Sequence, residues 1–268
     1  MCFSSLPIRT GPSDSSWLTA MLKRLETIFE HRNDLVQMCM EINRALPPIK
    51  PRTDLSIVTL NAVVDKHSID LPIQVPGLFK LAIMVEPDGN CMPRCGSLIG
   101  YGSENFHTEI RLRMFLELVL HEQLYLDDDH ISKAAPLSSV MSVTTMSDHY
   151  DPSVEICDQA VATVFWAEVR DTLKQGTSCS LWHLMAMASI LKVVIMSVHP
   201  SIGCNQRQEQ LHRLIYPREP PEAPCVPIFV MWTSTRTDMN WDHWVPNHVT
   251  LCLPMLEESN ESTVDLHG

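Results

Sequence analysis

The chain has no run of lysines and arginines, no uninterrupted apolar stretch of membrane-spanning length and no compact cysteine framework. Each absence removes a class of function. The formal charge is -12, from 32 acidic against 20 basic residues, and no basic cluster offsets it, so nucleic-acid binding is not expected of this chain alone. The most apolar region, residues 181–198, is broken by His183, Ser189 and Lys192; it reads as a buried helix followed by a buried strand, and no membrane partner is expected. Residues 1–16 hold one arginine and no apolar core of signal-peptide length, so no secretory signal is expected. Nine cysteines, an odd count spread from Cys2 to Cys252, point to a reducing, intracellular setting, cytoplasmic or nuclear, in a chain too long to need disulfide staples.

What is present favours a core: 45% of residues are hydrophobic and only nine are glycine. Residues 1–13 read as a loose arm. From there Trp17, Leu18, Met21, Leu22, Leu25, Ile28 and Phe29, then Leu35, Val36, Cys39 and Ile42, fall at helical spacing and predict one long helix or two in series, stopped at Pro47-Pro48. This N-terminal helical extension covers 1–50 and must bury its stripe on the following domain or on a partner chain, so the oligomeric state stays open. Residues 51–74 read as a proline-rich connector with one strand at 55–63, residues 75–254 as the main domain and 255–268 as a disordered acidic tail.

Within the main domain the patterns predict a strand at 81–85, helices at 91–99 and 104–123, and a polar connection at 126–150. A further helix is predicted from Asp151-Pro152 to near Gly176. A helix at 181–190 feeds a strand at 193–198; a loop at 201–224 and strands at 226–233 and 248–253 complete the pattern. Helix handing over to buried strand is an α/β (α+β) signature, with a small central sheet flanked by helices. On the helix at 104–123, Glu109, Arg113 and Glu117 are spaced by four and read as pairs on a solvated face. Asp127, Asp128 and Asp129 lack the alternating oxygens and glycine of a calcium loop and read as a charged connection.

The stretch that carries chemistry is Asp88-Gly89-Asn90-Cys91, between a strand and a helix. A tight turn that hands a cysteine to the first turn of a helix puts the thiol where unpaired amides and the helix dipole favour thiolate. Standing alone, the same residues describe a turn and a small buried side chain. A thiol nucleophile needs a base, and His248, which follows Asn247 and opens a strand, is the favoured one; His243, between Asp242 and Trp244, reads as structural. Cys91, Cys95, His243 and His248 could be written as a zinc quartet, but the spacing is loose and no CxxC pair exists, so neither metal nor other cofactor is expected.

These residues resemble the ovarian-tumour (OTU) family of cysteine proteases, over roughly residues 75–254. The longer stretch DGNCMPRCGSLIGYGSENFHTEIRLRMFLELVLHEQL, with Gly176 to Leu181, resembles most closely the OTU-like part of vertnin and vertnin-like proteins. The resemblance implies a papain-type fold and a deubiquitinase whose partner is ubiquitin or a ubiquitinated protein. It implies Cys91 as nucleophile, His248 as base, and an oxyanion hole from the turn that holds Gly89 and Asn90, with Asp88 keeping that loop in shape. Thr250, or Asn247, takes the place of the orienting group. Two departures, Met92-Pro93-Arg94-Cys95 after the DGNC motif and Thr250 where an acid or amide is usual, support an alternative: an OTU-like module with little or no activity, serving nuclear or chromatin-associated regulation.

Overall fold

The computed structural model describes residues 15–50, 55, 62–73, 75, 80–221, 226–236 and 240–254. Helices α1 (Ser15–Thr27) and α2 (Arg32–Ala45) are separate, and they bury the stripe that the spacing picks out: Trp17, Leu18, Met21, Leu22 and Leu25 on the first, Leu35, Met38, Cys39 and Ile42 on the second. Strand β1 (Lys80–Ile83) leads through the Asp88 turn into α3 (Cys91–Tyr101). A 3-10 turn, Glu104–Phe106, capped by the Ser103 hydroxyl, precedes α4 (His107–Leu120). Four helices follow: α5 (Glu122–Tyr125), α6 (Asp128–Ser132), α7 (Val140–Thr144) and α8 (Asp158–Asp171). Helix α9 (Leu181–Leu191), strand β2 (Ile195–Val198), helix α10 (Asn205–Leu211) and strand β3 (Arg213–Ile215) come next, then β4 (Ile228–Thr233) and β5 (His248–Pro254).

The five strands form one mixed sheet in the order β1-β5-β4-β2-β3. Only β2 and β4 run parallel; the other pairs are antiparallel. The fold is mixed α/β, with helices packed on the sheet. Among the described residues one continuous apolar cluster runs from Trp17 on α1 through Phe115 on α4 and Trp182 on α9 to Leu251 on β5. The two N-terminal helices therefore share this core with α4, α9 and β5, while Ala82, Val198, Met231 and Cys252 form a smaller separate cluster.

Helix α4 departs most from expectation. Glu109 and Arg111 are 0% exposed, and Arg113 and Glu117 are buried as well. The solvated face is replaced by buried pairing. The Arg113 guanidinium donates to Glu109 Oε1 at 2.6 Å and to the Pro47 carbonyl, and Glu109 also accepts from the Tyr101 hydroxyl at 2.7 Å. Glu117 accepts from Tyr125 and Arg218. The cause is tertiary: α4 is packed by α1, α2, α3 and α9, which leaves it no solvent side.

Three other local expectations change. Asp151 does not open a helix; its carboxylate closes a turn on Ser153, and α8 begins only after Cys157. The stretch at 201–224 holds α10 and β3, too short and, on α10, too polar to show a period. The connection at 126–150 carries α6 and α7, each entered through a side-chain cap, from Asp127 and from Ser139. The strand expected at 55–63 and the tail at 255–268 lie largely or wholly outside the described residues; next to that strand, Val64 pairs with Ile83 across an isolated bridge.

Candidate active site

Each residue of the Asp88 turn has an identifiable task. Gly89 has φ +78°, and a Cβ there would lie 1.9 Å from the carbonyl oxygen of Gly176, itself at φ +79°. Only glycine fits that approach. The Asp88 carboxylate accepts from the Asn90 amide (2.9 Å), the Asn90 side chain (3.0 Å) and, in a fork, Arg94 Nε (3.2 Å) and Nη2 (2.7 Å). Burial works to raise its pKa, but these hydrogen bonds prevail and hold it well below the usual carboxylate range. Asn90 Oδ1 then accepts from the Gly176 amide (3.0 Å) and from Arg111 Nε (3.1 Å), pinning the turn to the 176–177 loop.

Cys91 is the first residue of α3 and lines a cavity of about 130 Å³ together with His248, Asn247, Val249, Cys179 and Glu168. Two sequence-distant candidates, Cys91 and His248, thus share one cavity. Cys91 is 7% exposed, and burial pushes its pKa up; hydrogen bonds with the backbone of Val249 and Met92 and the charge of Arg111 act the other way. The thiolate expected from helix entry alone is therefore outweighed by desolvation in this closed arrangement. No hydrogen bond joins Cys91 to the His248 ring among the described residues.

His248 heads β5 opposite Thr233. Its Nδ1 is buried without a partner. Neither residue expected to orient the ring does so: the Thr250 hydroxyl donates to the Ile83 carbonyl, and the Asn247 side chain is tied to Thr235. Alternation along β5 leaves Thr250 on the same face as His248, but its hydroxyl is engaged by the β1 backbone, and Asn247, one residue before the ring, is engaged by the Thr235 loop. Of the charged groups that act on His248, Asp65 is the strongest. Burial lowers the imidazole pKa, and Asp65 is the foremost opposing influence, with Asp88 behind it. Asp65 is 1% exposed; its Oδ1 accepts from the His67 amide, while its Oδ2, like His248 Nδ1, is buried and unpartnered.

Asp65 was invisible in the sequence because it sits in the connector, with no motif around it. Its only local signal is the Asp65-Lys66-His67-Ser68 turn, in which Ser68 bonds back to the Asp65 carbonyl. What brings it to the sheet is the backbone: the Asp65 amide donates to Ala82 and the Met84 amide to Val63, alongside β1. The zinc quartet is not assembled. His243 lies exposed on the 3-10 turn Trp241–His243, outside the cavity, and Cys95 is fully buried against the Val249 carbonyl. Among the described residues no group of three or more His, Cys, Asp or Glu side chains is placed to hold a metal ion.

Residues 82–233, more than half of the chain, match the family model described as "Vertnin, OTU domain". Vertnin of Ailuropoda melanoleuca is 25% identical over 154 residues, 58% of this chain and 21% of that protein. Human vertnin is 24% identical over 154 residues, with the same two coverages. Vertnin of Danio rerio is 24% identical over 204 residues, 75% of this chain and 29% of that protein. The chain thus spans between a fifth and a third of the length of these curated relatives. A solved viral OTU domain protease from Farallon virus superposes on 70% of this chain and 99% of that chain at 13% identity and a TM-score of 0.36, too loose a likeness to bear on chemistry. The matched segment contains Asp88, Cys91 and Arg111, while Asp65 and His248 lie on either side of it. By this match and by its mixed five-stranded architecture, the chain belongs to the vertnin OTU-domain family.

Proposed function

We propose that this domain is a thiol hydrolase of the deubiquitinase type, with Cys91 as nucleophile, His248 as base and Asp65 as the residue that orients the base. The observation that carries the reading is the meeting of Cys91 and His248 in one cavity; two buried polar atoms, His248 Nδ1 and Asp65 Oδ2, lack partners. A hydrogen bond between those two atoms would satisfy both and fix the tautomer that leaves Nε2 free as the base. Cys91 then attacks the carbonyl carbon of the substrate's terminal glycine as His248 takes the thiol proton. The imidazolium returns that proton to the leaving amine, and water, deprotonated by the same ring, releases the acid and restores the thiol. Because the Asn90 amide is engaged by Asp88, the turn's remaining candidates for the oxyanion hole are the amides of Gly89 and Cys91.

A second reading has its own observation. The buried, pKa-raised thiol and the absent Cys91–His248 hydrogen bond suit a domain that binds a ubiquitin-like partner without cleaving it. Ubiquitin carrying a C-terminal electrophile separates the two. Covalent labelling of wild type, lost in Cys91→Ala, supports the hydrolase. Reversible binding without an adduct, under conditions that label an active control enzyme, overturns it in favour of the binding module.

A further inference from the structure

Helix α4 carries a buried cation that no carboxylate contacts among the described residues. Arg113 has Glu109, but Arg111, also 0% exposed, has only neutral acceptors among the described residues: Asn90 Oδ1 at 3.1 Å, Thr177 Oγ1 at 3.1 Å, Gly89 O at 3.0 Å and Thr177 O at 2.8 Å. Four hydrogen bonds satisfy most of the guanidinium's five donors, yet its charge stays uncompensated, and an unpaired charge is costly inside a protein. A core-filling role does not need that cost. The acceptors are also not scattered. All four belong to two segments, the 88–91 turn and the 176–177 loop, which meet at the two left-handed glycines and are also joined by the Gly176 amide donating to Asn90.

We infer that Arg111 is a positioning residue that clamps the turn below Cys91 and supplies the resident positive charge for which the reaction's own anions, the Cys91 thiolate and the oxyanion, are the missing partners. The electrostatics agree: Arg111 opposes the burial-driven rise in pKa at both Cys91 and Cys179, the two thiols that share the cavity. Cys91 therefore ionises beside a fixed cation, and the cost of the buried charge falls as the anion forms. The inference rests on the reading of Cys91 as nucleophile, and its test can fail separately from that reading.

The test is the pH dependence of Cys91 alkylation by iodoacetamide, followed by mass spectrometry of the Cys91 peptide, in the full chain and in Arg111→Met and Arg111→Lys. Labelling by the ubiquitin electrophile is read in parallel. For Arg111→Met, the alkylation midpoint rises by roughly one pH unit or more, about a tenfold slower reaction at a fixed pH below it. For Arg111→Lys, which keeps charge but loses the fork, the midpoint moves less while ubiquitin labelling falls at least about tenfold. A folded Arg111→Met with the wild-type midpoint overturns the inference. Should that variant not fold, Arg111→Lys decides: ubiquitin labelling equal to wild type overturns the clamp. Wild type that shows the Arg111-dependent midpoint yet never labels with ubiquitin sinks the hydrolase reading and leaves the counter-charge standing.

Discussion

Gly89 and Asp65 bear the most weight at the scale of single residues. At Gly89 two effects coincide, a left-handed backbone and a carbonyl 1.9 Å from any added Cβ. Gly89→Ala pays the left-handed cost of about 1–2 kcal/mol and must also push the Gly176 loop away. We expect it to lower the unfolding midpoint in urea and to abolish electrophile labelling; labelling at the wild-type rate excludes the tight turn as a requirement. At Asp65 the issue is orientation of a ring. Asp65→Asn keeps the size and removes the charge, so labelling falls at least about tenfold with little change in melting temperature. An unchanged rate removes Asp65 from the site. The DGNC motif and His248 were legible in the sequence because a nucleophile at a helix entrance and a histidine at a strand head are local patterns. Asp65 was not, because its relevance depends on a backbone pairing between 63–65 and 82–84 that no periodicity announces.

At the scale of elements, α4 decides how the site is held. Its apolar residues predicted a wide buried face, and burial extends around the whole helix, so its charged residues work inside the protein: Glu109 and Arg113 tie α4 to Tyr101 and Pro47, Glu117 ties it to Arg218, and Arg111 reaches the Asp88 turn. Removing one member of a buried pair leaves the other unbalanced. Glu109→Met is expected to cost about 3–5 kcal/mol, whereas Glu109→Met with Arg113→Met costs less than the sum of the two single changes, measured by urea unfolding followed through tryptophan fluorescence. Additive losses contradict the pairing. Sequence spacing identified the Glu109–Arg113 pair, but Glu117 goes to Arg218 and Tyr125 in place of Arg113, and spacing could not say that α1, α2, α3 and α9 would enclose them all.

Across the whole molecule the N-terminal helices are part of the structure that presents the cavity. Phe29, in the turn between α1 and α2, packs edge-on to Trp166 of α8 at 5.9 Å and near Phe115 of α4 at 6.4 Å. Deleting residues 1–45 strips apolar cover from α4, and the shorter chain is expected to bind a hydrophobic dye and lose its cooperative melt; a cooperative melt at the full-length temperature shows the remainder to be self-sufficient. Acid acts globally too. Burial lowers the pKa of His183 to about 3 and of His199 to about 4, so both are neutral in the folded chain at pH values where the unfolded chain protonates them. Their stabilisation is complete above about pH 6.5 and is lost as pH falls, at about 1.4 kcal/mol per pH unit per histidine until the folded pKa is reached. Urea midpoints that stay flat from pH 7 to 5 contradict this.

The amino-acid sequence by itself determined which segments are helix or strand wherever an apolar period runs for two turns or more, and it placed a thiol at a helix entrance, because those are consequences of neighbours along the chain. Tertiary structure decided which polar groups are buried, that Thr250 and Asn247 bond to other partners than the His248 ring while the charge of Asp65 acts on it, and that Arg111 bonds to the turn. The physical reason is that desolvation and charge pairing depend on what packs from distant parts of the chain, and those contacts exist only after the sheet has closed and α4 has been enclosed.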